Sequence, residues 1–97
     1  SNERGSIMKT ETMNGQRFRC YDNGGKTADR FTVVYLDQPE RGANCFAAVG
    51  MNAAPFHPQG IGQHCAAMPG RHLGMRVPFD SLPADCQKVV RRDLEQS

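Results

Sequence analysis

Tryptophan is absent from this 97-residue chain, and apolar residues make up only 38% of it. That is enough for one modest core and excludes a second domain, since a chain of this length buries roughly 60–65% of its unfolded surface. No apolar run approaches the roughly 20 residues that span a bilayer, which excludes a membrane helix. The first residues lack the apolar stretch and cleavage pattern of a secretory leader, so a cytoplasmic location is expected. No Cys-x-x-Cys pair occurs: Cys20, Cys45, Cys65 and Cys86 are spread almost evenly, and free, partly buried thiols are expected. An excess of one charge is missing too. Twelve Lys and Arg against ten Asp and Glu leave +2, too even to point to nucleic acid by bulk electrostatics.

What the chain does contain is a run of short patterned segments. Residues 1–14 are polar and aperiodic, Ser1-Asn2 resembles a tag-cleavage remnant, and Met8 or Met13 fits a native start. This stretch is expected to be disordered and to lie outside a single domain over residues 15–97. Gln16 to Tyr21 alternates Phe18 and Cys20 against Arg17, Arg19 and Tyr21, the period of a half-buried strand. Arg30 to Leu36 is rich in β-branched and aromatic residues and gives a second strand, joined by a glycine-bearing loop. Asn44 to Met51 gives a third, and Gly74 to Phe79 a short edge strand stopped by Pro78. Leu82 to Glu95 places apolar groups at 82, 86, 89, 90 and 94, which is helical spacing, with Ser81 as cap and Pro83 in the first turn. The expected fold is therefore α+β: a small antiparallel sheet of three to four strands covered by a C-terminal amphipathic helix.

Between the third strand and the short one lies Pro55 to Gly74, which holds all three histidines, Cys65 and four glycines. Its density of Pro, Gly and His predicts a long connection packed on the sheet rim. Histidine is the side chain most apt to titrate near neutrality or bind a transition metal. Zinc sites, however, pair ligands two to five residues apart on a turn. His57, His64 and His72 are spaced by seven and eight residues, and Cys65 adjoins His64, so a metal held by His57, His64, Cys65 and His72 is only an alternative. No cofactor is expected. Gly24-Gly25-Lys26-Thr27 echoes the end of a phosphate-binding P-loop. Cys20 stands where that motif needs glycine, and a strand follows where it needs a helix. Arg17, Arg19, Arg30, Arg71, Arg76, Lys88, Arg91 and Arg92, with Tyr21 and Tyr35 as stacking groups, are a candidate basic face for single strands.

Three boxes then stand out: Asp22-Asn-Gly-Gly-Lys-Thr27 running through Asp29-Arg-Phe-Thr-Val33, Pro58-Gln-Gly60, and His72-Leu-Gly74 trailed by the Leu82-Pro83 helix. In this order they resemble a set of small uncharacterised proteins carried by phages and mobile elements, a set with no assigned activity. The resemblance covers residues 22 to 94 and implies an accessory factor that binds a host or phage macromolecule. The residues themselves add two loops opened by glycine and dense in polar groups, the kind of position where binding residues collect. The leading expectation is a non-enzymatic binding module, with Asp22, Asn23, Gly24, Gly25, Lys26, Asp29, Arg30, Gln59, Gln63 and His64 as the candidate binding residues and no catalytic residue assigned. A protein partner ranks first, nucleic acid second, and no membrane is involved. The alternative is a small hydrolase or nuclease using the His57–His72 segment, with or without a metal; the third reading is single-stranded nucleic-acid binding.

Overall fold

The computed structural model describes residues 10–39 and 45–95. Five strands run as an antiparallel meander, each beside its neighbour in sequence: β1 (Glu11–Met13), β2 (Gln16–Asp22), β3 (Phe31–Pro39), β4 (Phe46–Met51) and β5 (Gly62–Ala67). A sixth, β6 (Met75–Val77), returns to the far edge and pairs with β2 beyond the end of β1, matching Cys20 with Val77 and Asp22 with Met75. The α-helix α1 (Ala84–Glu95) closes the chain. The α+β class and the covering helix agree with the sequence pattern, whereas the described residues form a sheet of six strands rather than three to four.

Alternation gives the sheet two buried faces. On one, Phe18, Cys20, Phe31, Val33, Tyr35, Val49 and Met51 meet Phe79, Leu82, Cys86, Val89, Val90 and Leu94 from the C-terminal segment. Phe18 and Phe79 touch edge to face, their centroids 5.8 Å apart. The other face buries Tyr21, Val34 and Ala48, flanked by Leu36, Phe46 and Ala67. The segment from β5 to β6 must pass from one sheet edge to the other, and it lays Leu73 on this second cluster.

The two extra strands have separate causes. β1 falls within residues 1–14, expected to be disordered. Asn14 and Gly15 both take positive φ (54° and 77°), the geometry of a tight hairpin turn whose twist suits its strands. The Glu11 carboxylate then accepts a hydrogen bond from the Phe79 amide at 2.8 Å, tying β1 to the start of the helical segment. The expected disorder of residues 1–9, Met8 included, lies outside the described residues. β5 falls inside the predicted connection. Gly, Gln, His, Cys and Ala have little preference for strands, and the segment is held by its pairing with all six residues of β4. The helix also starts differently: the Ser81 hydroxyl donates to the Pro78 carbonyl and caps nothing, while the Pro83 carbonyl accepts from the Gln87 amide. Among the described residues no helix is long and apolar enough to cross a membrane.

Candidate functional site

Three glycine-bearing segments meet at one end of the sheet. β2 ends at Asp22, beside the start of β6, and Phe31 of β3 pairs with Met51 at the end of β4. Loops 23–30 and 52–61 therefore open there, and segment 68–74, which leaves β5 at the opposite end beside Phe46, arrives there at Gly74. Between the first and the third lies a cleft of about 960 Å³. Arg19 and Tyr21 of β2 and Met75 to Val77 of β6 form its floor, Asp22 to Gly24 and Lys26 one wall, and Gly70, Arg71 and Gly74 the other.

The two walls are held in contact by Gly74. Its φ of 113° and ψ of −160° belong to a region essentially reserved for glycine. A Cβ there would lie 2.4 Å from the Asp22 carbonyl oxygen and 2.6 Å from the Asn23 Cα. The backbone of the third loop can thus rest directly on the base of the first hairpin.

Four cations line the cleft: Arg19, Lys26, Arg71 and Arg76. Among the described residues its one carboxylate, Asp22, is already neutralised. Arg30 grips it through Nε at 2.8 Å and Nη2 at 3.1 Å, and the Gly24 amide donates to it at 2.8 Å. The Arg30 hydrogen bond, aided by the Gly24 amide, holds the Asp22 carboxyl below its usual range. Arg76 lies over the Tyr21 ring at 5.9 Å, which orients a guanidinium by a cation–π contact. Arg19 donates to the Thr10 hydroxyl at 3.2 Å.

The candidate residues divide on inspection. In the first loop the polar groups bond to the loop itself. The Asn23 side chain accepts from the Gly25 and Lys26 amides and donates to Thr27, whose hydroxyl donates to Asp29 at 2.6 Å. Asn23 and Asp29 therefore shape the hairpin, Gly24 and Gly25 supply its positive φ, and Lys26 remains to meet a ligand. Gln59, Gln63 and His64 do not make one surface. Gln59 sits in loop 52–61, Gln63 projects from the β5 face away from the helix, and His64 projects toward α1.

His64 meets Asp93 there, Nε2 to the carboxylate oxygens at 2.8 and 2.9 Å, and the buried Tyr35 hydroxyl donates to the same carboxylate at 2.6 Å. This relay escaped the sequence reading because nothing in spacing links Tyr35, His64 and Asp93. A carboxylate that orients an imidazole is half of a nucleophilic site. The thiol next in sequence, Cys65, lies on the opposite face of the sheet. Burial and the nearby Asp29 charge also push that thiol up, whereas reactive cysteines are pushed down.

The metal alternative fails on geometry. His57 uses Nδ1 to accept from the Gln59 amide at 3.1 Å, His72 lies against Gly70, and His64 and Cys65 point to opposite faces. Among the described residues no three His, Cys, Asp or Glu side chains converge to hold a metal. The proposed basic face also breaks up. Arg17 is paired with Asp37 at 2.8 Å, Arg30 with Asp22, and Arg91 sits over Phe79. Tyr21 and Tyr35, each 2% exposed, offer no ring face for stacking. Arg19, Arg71 and Arg76 are the members that converge, and Lys26 joins them. No family model, curated protein or solved structure matches the chain.

Proposed function

We propose that the protein is a non-enzymatic binding module that takes phosphate groups of a nucleic-acid strand into the Arg19–Lys26–Arg71–Arg76 cleft and acts in the cytoplasm. The observation that carries this reading is the convergence of four cations on a concavity whose only carboxylate among the described residues is neutralised by Arg30. Guanidinium forks match the phosphate oxygens two at a time, and the compact Lys26 ammonium adds a point charge. With both tyrosines buried, the contacts fall on the backbone and not on the bases, so binding is expected to be tolerant of sequence. The resemblance to small phage and mobile-element proteins supports an accessory factor of this kind.

The test is salt-dependent binding of a labelled single-stranded oligonucleotide. If Arg19, Lys26 and Arg71 each displace one counterion, the log–log slope is about −2, and affinity falls roughly twenty-fold between about 50 and 200 mM salt. The Lys26→Ala/Arg71→Ala pair should lower that slope by about 1.4. Absence of oligonucleotide binding at low salt would reject the reading, and preferential binding of an acidic peptide would move the partner to protein. Hydrolysis through His64 has one observation in its favour, the Asp93 and Tyr35 relay, but no nucleophile beside it.

A further inference from the structure

No Asp, Glu, Lys or Arg occurs between Arg41 and Arg71, so every charged residue of the chain lies outside this stretch. Within it, β5 closes one edge of the sheet, pairing with β4 alone among the described strands, and its residues are almost all exposed. Natural edges are blunted by lysine, proline, bulges or brevity. β5 has neither charge nor proline, and it matches six consecutive residues of β4 with no break in register. Two of the three large exposed apolar side chains among the described residues, Phe56 and Met68, stand in the segments that enter and leave this strand.

Hydrogen-bond parity shows what the edge offers. The Asn52 amide donates to the Ile61 carbonyl, one step beyond the Met51–Gly62 pair. Bonded pairs alternate with unbonded ones along an antiparallel ladder. Ile61, Gln63, Cys65 and Ala67 therefore turn their backbone toward β4, and Gly62, His64 and Ala66 turn theirs outward.

We infer that β5 pairs with β5 of a second copy, antiparallel and isologous, centred on His64. The outward groups then match Gly62 with Ala66, His64 with His64, and Ala66 with Gly62, so each strand satisfies its twin. The same register carries Met68 of each copy toward Gly60 and Ile61 of the other, beside the loop that bears Phe56. Charge selects this occupant. An acidic or basic strand finds no counter-charge within the stretch from 42 to 70. The two carboxylates that reach β5, Asp93 on His64 and Asp29 near Cys65, lie on its two faces and not along its outward backbone, so a copy brings no charge into the seam to repel. Each His64 keeps its own Asp93, so its side chain is already partnered in the seam.

Sedimentation velocity across micromolar to millimolar concentration, under reducing conditions, tests the pairing together with amide exchange. A rise from one to two chain masses is expected, and at high concentration the His64 and Ala66 amides should exchange at least ten-fold more slowly. The inward-facing Gln63 and Cys65 amides should be protected at every concentration. Ala66→Pro removes only an outward N–H and should give a folded monomer by circular dichroism, and Ala66→Lys should weaken association without touching the ladder. A monomer at all concentrations overturns the inference and leaves the edge to an extended segment of a different protein. A dimer that survives in folded Ala66→Pro or Ala66→Lys overturns it as well, by placing the contact elsewhere.

Discussion

Replacing Gly74 by alanine tests how the cleft is built. Two costs are separable. The backbone conformation alone, confined to glycine, costs about 1–3 kcal/mol for any other residue. The new methyl would also sit 2.4 Å from the Asp22 carbonyl oxygen, against backbone that cannot rotate away as a side chain can. Together a loss of about 2–4 kcal/mol is expected, out of a total on the order of 5–15 kcal/mol for a domain of this size. Gly24→Ala is the matching control: its φ is also positive, at 76°, but nothing lies within 4 Å of the added methyl. It should cost only the conformational part, roughly 1 kcal/mol. Urea unfolding followed by circular dichroism gives both values. Amide exchange then says how the strain is relieved. The Asn23 amide donates to the Arg30 carbonyl, so odd residues of β2 bond to β3 and even ones face β6. Undocking of the third loop and β6 should expose the Cys20 and Asp22 amides while Arg19 and Tyr21 stay protected, and oligonucleotide binding should fall with it. A Gly74→Ala protein within about 0.5 kcal/mol of wild type, with Cys20 and Asp22 still protected, would refute the claim that this glycine locks the two walls.

Asp22 carries a pH signature. Its folded carboxyl lies below the usual range, so the stabilisation is present above the unfolded value of about 4 and is lost as pH falls through the folded one. Urea midpoints between neutral pH and pH 2 should fall less steeply in Asp22→Asn than in wild type, and identical profiles would count against the Arg30 pair. Leu94→Ala, at a side chain only 2% exposed beneath the helix, should cost about 2–5 kcal/mol in the same assay, with a smaller loss only if the site collapses around the gap. Burial pushes the Cys86 thiol up to about 11 and that of Cys20 higher still, so both should resist alkylation at neutral pH until urea unfolds the chain. Mass spectrometry of the labelled protein checks this, and rapid native labelling at either position would argue against the packing around it.

The strands with their own patterning were readable in the sequence. Arg30 to Leu36 is β-branched and alternating, and Phe18 and Cys20 mark the buried side of β2 whatever the rest of the chain does. The helix likewise announced itself through 86, 89, 90 and 94. β5 could not be read this way, because Gly62 to Ala67 owes its conformation to β4 and carries little preference of its own. The same limit applies to the site. Arg19, Lys26, Arg71 and Arg76 come together only because β6 crosses to the β2 edge, a long-range pairing that no local pattern encodes. Conversely, Asn23 and Asp29 read in sequence equally as ligand groups or as closers of the hairpin, and in the fold their side chains bond within their own loop.

That crossing also sets an order in time. The meander from β1 to β5 is made of neighbours in sequence, so its hairpins close over short loops at little entropic cost. The Asp22–Met75 pair joins residues more than half the chain apart and has to wait for the sheet edge to exist. The last pieces to settle are thus β6, the third loop and the helix, and the cleft is finished only when they do. A nascent or partly unfolded chain would hold a sheet without a working surface, and binding would then report completion of the fold.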